Sequence, residues 1–273
     1  AAADLEARDC ALAALSAMRR LLCSKAAIDA MLSTPELGHG VVGYAWGCVE
    51  WPHLEVAGAA MDVLVVLLHL RSEVVDLAQE VACKRLVLDP PSRCKLLATT
   101  LTTQLRCGTG AVLLSLILEG FCYVLCHPHA ETTSGEAFSQ MLTLLSSLGR
   151  VFFKLFSHPC LRVAKAAGLL MAALIQEGEQ GMVDTVRLDA LCEGALLEQL
   201  HHALFLRGTD ARATFHRQLS QRLVALWATS HLPSSDMLMR SIPPPLLRML
   251  SVPEAPPTTE PDELVQRRRN ASA

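Results

Sequence analysis

Four residues in one short stretch of the chain have side chains that could bind a metal ion together. They are Cys122, Cys126, His127 and His129. The two cysteines are one helical turn apart, and thiolate and imidazole are ligand types that zinc prefers, so the four side chains could converge on one tetrahedral site. However, no second ligand pair follows at zinc-finger spacing, and the same helical face would also carry leucines. The pattern favours buried core cysteines followed by loop histidines, and it leaves a small helical metal-binding or enzymatic domain as the alternative.

The rest of the chain offers no catalytic motif. The sequence contains no Gly-x-x-x-x-Gly-Lys phosphate loop, no Gly-x-Ser-x-Gly nucleophile elbow, no His-Glu-x-x-His pair and no Cys-x-x-Cys pair. His158 and Cys160 could be imagined as a base and a thiol nucleophile, but Pro159 separates them and no neighbour would orient the imidazole. We therefore expect a chain that is not an enzyme, with no catalytic, cofactor-binding or metal-ligating residue and no cofactor.

The composition indicates a folded helical protein. Hydrophobic residues make up 51% of the 273 residues but aromatic residues only 4%, so the apolar side chains are mainly Leu, Ala and Val. This content is sufficient for a core and excludes disorder for most of the chain, while the scarcity of aromatic residues argues against an all-β fold. A net charge of −3 gives no basic face for nucleic acid, so we expect no nucleic-acid partner.

The cysteines and the start of the chain indicate the compartment. Most of the ten cysteines lie among Leu and Ala, as small buried hydrophobic residues do. The first residues have neither the basic region nor the apolar region of a signal peptide. We therefore expect a reducing, cytoplasmic environment, and because the chain begins with Ala1 rather than Met, we expect it to be part of a longer polypeptide.

Apolar residues recur at helical spacing along most of the chain, and almost no segment alternates with period two. The glycine-rich stretch from Gly38 to Gly47 predicts a loop or a broken helix. The stretch 108–126 is long enough to cross a bilayer, but Glu119 in its second half favours a buried helix. We expect helices at about 5–23, 25–32, 54–70, 72–88, 92–105, 108–126, 136–156, 161–176, 180–192, 196–206, 212–230, 235–241 and 245–251.

An internal repeat favours a solenoid over a bundle. Residues 52–60 align without gaps on residues 159–167, with six of nine positions identical and an offset of 107 residues. Alanine-rich helices can also align this well by chance, but the offset is close to two and a half HEAT or armadillo repeats of about 40–47 residues. We predict an all-α fold, an α-solenoid of armadillo/HEAT-like repeats over residues 1–252. A Pro-rich and charged disordered tail or linker would follow at 253–273.

The second half of the chain carries a family resemblance. Residues 163–178 resemble a Lys-Gly-Ala-Gly-Leu-Val-Met-Lys-Ala-Ile-Ile-Glu-Glu-Gly stretch, and the similarity continues through residues 193–197, 217–227 and 241–247. That stretch belongs to the large endosomal DnaJ-domain proteins, the family of DnaJ homologue subfamily C member 13 (receptor-mediated endocytosis protein) and its plant gravitropism-defective counterpart. The similarity is strong over about residues 150–250 and weaker over most of the remaining chain.

The resemblance implies a scaffold. Proteins of the family that this chain resembles share long armadillo-like helical arrays, a J domain that works with Hsp70, and attachment to early endosomes through a phosphoinositide. It implies sorting-nexin and actin-nucleating endosomal coat components as partners, and a cytoplasmic, peripheral location on the early endosome membrane.

The chain departs from the family pattern at the J domain. Stimulation of Hsp70 requires the tripeptide His-Pro-Asp, whereas the two His-Pro pairs here continue as His127-Pro128-His129 and His158-Pro159-Cys160. The resemblance therefore places the J domain outside this chain, together with the phosphoinositide-binding region, and no functional residue is carried over. The expected function is that of a non-enzymatic helical-repeat scaffold segment of a DnaJ-type Hsp70 co-chaperone, acting in endosomal membrane trafficking and receptor sorting.

Overall fold

The computed structural model describes residues 2–69, 75–107 and 110–244, and every regular element within these ranges is a helix. The predicted all-α fold is confirmed. The α-helices are α1 (Ala2–Leu21), α2 (Lys25–Ser33), α3 (Pro35–Val49), α4 (Leu54–Leu68), α5 (Leu77–Leu88), α6 (Ser92–Cys107), α7 (Ala111–Leu125), α8 (Gly135–Ser146), α9 (Arg150–Phe153), α10 (Leu161–Glu177), α11 (Gln180–Cys192), α12 (Ala195–Phe205), α13 (Ala211–Ala228) and α14 (Leu232–Ser241). Short 3₁₀ helices span His129–Thr132 and Lys154–Ser157.

One series of helices gives the chain a repeating architecture, because each member packs against the helix three places further along the chain. Helix α1 packs on α4, α4 on α7, α7 on α10, and α10 on α13. We call these five helices the ladder. Its members begin about 50 to 57 residues apart, at Ala2, Leu54, Ala111, Leu161 and Ala211. Three helices per repeat are typical of armadillo-like arrays, so the arrangement fits the predicted α-solenoid.

The internal repeat read from the sequence has a different period in the structure. Residues 52–60 lead into α4 and residues 159–167 into α10, and both helices pack against α7. The offset therefore spans two repeats, of 57 and 50 residues, rather than two and a half shorter ones. The reason is that each repeat contains three helices and their connecting turns, and these need more residues than the expected repeat length of about 40–47.

Helix α7 is buried in the protein, as its apolar sequence predicts. Leu118, Phe121 and Val124 have no exposed surface. Gly120 lets α4 approach, because a Cβ atom there would lie 3.3 Å from the Met61 side chain. Among the described residues, no helix combines the length and the hydropathy that crossing a bilayer requires.

The glycine-rich stretch after residue 33 is a continuous helix, so the predicted loop or broken helix is wrong. Helix α3 runs from Pro35 to Val49 and buries Val42 and Trp46 against the core. The Trp46 indole N–H donates a hydrogen bond to the Val87 carbonyl at 3.0 Å. Burial on one face outweighs the low helix propensity of glycine, which costs about 1 kcal/mol per residue.

One predicted helix is divided in two in the structure, and the last predicted elements lie beyond the residues that it describes. The helix expected over 136–156 is interrupted, because Gly149 has a positive φ of 49° and separates α8 from the short α9. The helix expected at 245–251 and the tail at 253–273 lie outside the described residues. The boundary between residues 252 and 253 stays a prediction.

Candidate functional site

The four residues of the possible metal site lie close in sequence but face different neighbours. Cys122 is directed towards α10, where its thiol lies 3.7 Å from the Ala166 carbonyl. A hydrogen bond with Cys126 and burial raise the pKa of the Cys122 thiol. The same hydrogen bond lowers the pKa of Cys126, which is partly buried. The two cysteines therefore form a pair packed against α10.

The two histidines have other partners. His127 is exposed, with its ring nitrogens 3.5 Å from a Glu177 carboxylate oxygen and 3.7 Å from one of Glu131. The His129 ring instead packs against His69 and Tyr123. Within the part of the chain that the structure describes, no group of three or more possible ligand side chains lies together. The geometry does not gather the set that a zinc site centred on Cys122 would need.

His158 has a local role at the start of α10. Its Nδ1 atom accepts a hydrogen bond from the Cys160 backbone N–H at 3.0 Å, immediately before the helix begins at Leu161. A ring nitrogen that accepts from the backbone holds the turn in place. The imidazole therefore bonds to the main chain of Cys160. Among the described residues, no hydrogen bond joins the imidazole to the Cys160 thiol.

A buried lysine that the sequence analysis missed joins three elements. The Lys84 side chain on α5 is 1% exposed. Its ammonium donates to the Tyr123 carbonyl at 2.7 Å and to the His129 carbonyl, and it lies 3.5 Å from a Glu80 carboxylate oxygen. Burial lowers the pKa of Lys84, and the Glu80 carboxylate opposes that effect. The only sequence signal was the Glu80–Lys84 spacing of one helical turn, which is common on exposed helix faces.

The neighbouring rings form a compact cluster above this lysine. His69 and Tyr123 are stacked with their centroids 4.2 Å apart, and His129 meets both edge-on at 4.7 and 5.0 Å. The cluster fixes the end of α4 against the end of α7 and the turn that follows it. Burial, His69 and the Lys84 ammonium lower the pKa of His129, in that order.

Acidification should destabilise the protein through this cluster. Because the folded-state pKa of His129 lies below its ordinary value near 6.5, the unfolded chain binds the proton more tightly. The contribution of His129 is intact above pH 6.5 and is lost as the pH falls through the folded-state pKa. Urea unfolding between pH 7.5 and 5 should give a falling free energy of unfolding, and His129→Gln should make that dependence shallower. An unchanged slope in this variant would contradict the assignment.

Ion pairs connect two junctions of the ladder. Arg19 on α1 pairs with Asp62 on α4. Arg162 on α10 pairs with Glu119 on α7 at 2.6 Å, and this carboxylate is the charge that interrupts the apolar stretch 108–126. Both pairs lie at the partly exposed edge of the ladder, where each contributes at most about 1 kcal/mol. At these two junctions, between α1 and α4 and between α7 and α10, charged side chains on neighbouring helices are thus matched.

Comparison with known proteins gives this helical array a relative. The chain is 29% identical over 257 residues to DnaJ homolog subfamily C GRV2 of Arabidopsis thaliana. The predicted family resemblance is confirmed. The alignment covers 92% of this chain but 9% of the DnaJ homologue, so the chain spans a small part of the length of the relative it matches. No protein-family model matches the chain, and no solved structure matches it.

The match to the DnaJ homologue is not confined to one part of the fold. Since 257 aligned residues account for almost the whole chain, the likeness extends across the ladder rather than resting on one helix pair. A J domain requires His-Pro-Asp, and this tripeptide does not occur in the sequence. The chain is therefore similar to a segment of the DnaJ homologue, and the similarity runs along its helices.

Proposed function

We propose that this chain is a non-enzymatic helical-repeat scaffold segment of a DnaJ-type Hsp70 co-chaperone that acts in endosomal membrane trafficking and receptor sorting. The observation that carries the proposal is the similarity to a DnaJ homologue over 92% of a chain folded as stacked helices. Helical repeat arrays act by presenting long surfaces to partners. The scaffold role uses the ladder, whose helices follow one another at intervals of about 50 residues.

The side-chain arrangement supports a binding role rather than a chemical one. The candidate nucleophiles and bases of the sequence are engaged in packing: Cys122 with α10, His158 with the turn before that helix, and Lys84 with backbone carbonyls. None of these groups faces another with the geometry of a nucleophile and its base. The described chain is therefore best explained as a framework.

The partners and the location follow from the same proposal. Sorting-nexin and actin-nucleating endosomal coat components would bind the helical array, and Hsp70 would act through a J domain outside this chain. The protein would be cytoplasmic and peripheral on the early endosome membrane, with phosphoinositide bound outside this chain. Each of these assignments depends on the family and is open to a direct test in cells.

Proximity labelling tests the trafficking role. The full 273-residue chain, fused to a biotin ligase and expressed in cultured cells, should label sorting nexins and actin-nucleating coat proteins several-fold more than the ligase alone. The matched control is the same fusion carrying Trp227→Ala, which differs at one residue but loses the core packing of α13. Hsp70 is left out of the readout, since any unfolded segment recruits it.

Either of two results would overturn the proposal. If the endosomal coat proteins are labelled no more by the fusion than by the ligase alone, the trafficking role is wrong. If the Trp227→Ala fusion labels them as strongly as the natural chain at a temperature at which circular dichroism shows the purified variant to be unfolded, the folded helical array is not what they recognise, and the scaffold role is wrong.

A further inference from the structure

The junction between α10 and α13 contains an open groove with a cavity of about 410 Å³. This volume lies within the range of about 300–1,000 Å³ that is typical of ligand pockets. Its floor is formed by Leu219 and Leu223, which are buried, and Leu169, which is 46% exposed, stands at its edge with Phe215. The groove is therefore apolar inside and open to an incoming side chain.

The sequence of α10 explains why this space is not filled from within. Gly168 and Ala172 line the groove on the α10 side, and neither has a side chain long enough to fill it. At Gly168 the helices are already close, because a Cβ atom there would lie 2.4 Å from a Leu219 methyl carbon. The two helices thus meet at Gly168 and leave the remaining apolar surface beside it uncovered.

The rim of the groove carries two cations that face solvent. Lys165 on α10 and Arg222 on α13 both line it and are both exposed. Neither takes part in a salt bridge among the described residues, whereas the ion pairs Arg19–Asp62 and Arg162–Glu119 connect other junctions of the ladder, between α1 and α4 and between α7 and α10. Helix α13 contains three arginines and no acidic residue, although the chain as a whole is slightly acidic. The rim therefore lacks a negative partner.

We infer that this groove is a docking site for an acidic amphipathic helix of another protein. Leu169, Phe215 and Leu226 keep exposed surface along the groove above the buried Leu219 and Leu223, so apolar side chains of a docked helix at positions i, i+3 or i+4 and i+7 would pack against them. Glu or Asp side chains on its flanks would pair with Lys165 and Arg222. The proposal rests on the scaffold function and names the chemistry of one of its partners.

The walls of the groove favour a helix over an extended strand. Both walls are α-helices, whose backbone N–H and C=O groups are bonded within the helix and do not pair with a strand. A strand would leave most of its own backbone groups without partners in the groove, which costs free energy when they are buried. A helix satisfies its backbone internally and offers only its side chains.

Fluorescence anisotropy with a synthetic probe tests the groove. The probe is a labelled peptide of about four helical turns with leucines at i, i+3, i+4 and i+7 and glutamates on both flanks. It should bind the full chain saturably, and the double variant Lys165→Glu with Arg222→Glu should weaken binding at least about tenfold, which corresponds to about 1.4 kcal/mol. The matched control, Arg20→Glu with Lys25→Glu, makes the same change in net charge at exposed positions far along the chain and should bind as the natural chain does.

A charge exchange makes the test specific. A second probe with lysines in place of the glutamates should bind the double variant more tightly than it binds the natural chain. Ala172→Phe, which fills the groove without altering charge, should weaken the acidic probe while leaving the circular dichroism spectrum unchanged. Equal effects of the double variant and its control would overturn the proposal, as would the absence of saturable binding to the natural chain.

Two further outcomes decide what occupies the groove and whether the scaffold function depends on it. If a peptide of residues 253–265 competes with the probe, and deletion of residues 253–273 strengthens probe binding, the occupant is the chain's own acidic segment and the partner assignment is wrong. If the chain binds no probe but still labels endosomal coat proteins in cells, the groove proposal fails while the scaffold function stands.

Discussion

Replacing Trp227 by alanine should lower the free energy of unfolding by about 4 kcal/mol. Trp227 is fully buried, and its ring meets Phe153 and Phe156 at centroid distances of 5.7 Å each. Its indole N–H points at the Met171 sulfur at 3.4 Å. The ring therefore joins α13 to α10 and to the short helical segment between α8 and α10, and its removal opens a cavity where all three meet.

Urea unfolding followed by circular dichroism measures this loss. The midpoint should fall while the dependence on denaturant stays the same, since the surface exposed on unfolding is nearly unchanged. Trp227→Phe keeps most of the apolar contact and should cost clearly less than Trp227→Ala. Trp51→Ala, at a partly exposed position, is the matched control and should cost the least of the three. A loss below about 1 kcal/mol for Trp227→Ala would mean that the core closes around the gap.

The elements of the fold were largely predictable because their signals are local. Apolar residues at helical spacing mark the bounds of α10 and α11 to within about one residue, and Pro159 lies just before the first of these helices. The failure at α3 has a physical cause: the glycines after residue 37 lower helix propensity, whereas the burial of Trp46 that outweighs it depends on α5, about 40 residues away. Local sequence does not report such a contact.

The arrangement of side chains was much less predictable for the same reason. Cys122 and Cys126 were expected to share a face, and they do, but the neighbour that occupies that face is α10, 44 residues away at Ala166. His129 turns towards His69, 60 positions earlier, which no spacing near His129 indicates. The groove between α10 and α13 arises from two helices whose sequences are ordinary when read separately. Sequence identified the residue types, and the packing of distant helices decided what each one contacts.

Replacing Lys84 by methionine should lower the free energy of unfolding by about 3 kcal/mol. Methionine has about the volume of the aliphatic part of the lysine side chain. The loss in free energy of unfolding therefore measures the contribution of the ammonium group and its hydrogen bonds. Without the ammonium, the carbonyls of Tyr123 and His129 lose a charged donor that is buried in the protein. Glu80 keeps the hydroxyl of Thr132 as a donor at 2.7 Å, so most of the cost falls on the two carbonyls.

Two measurements distinguish this buried contact from an ordinary surface charge. Lys95→Met, at an exposed position on α6, makes the same chemical change and should alter the free energy of unfolding by less than about 0.5 kcal/mol. In Lys84→Met the pKa of His129, followed by NMR, should rise, because the Lys84 ammonium is one of the groups that lower it. A loss equal to that of Lys95→Met, or an unmoved His129 pKa, would contradict the contact. Because Lys84 on α5 is bound to carbonyls 39 and 45 residues further along the chain, its loss would loosen the turn after α7, and with it the start of the next repeat of the ladder.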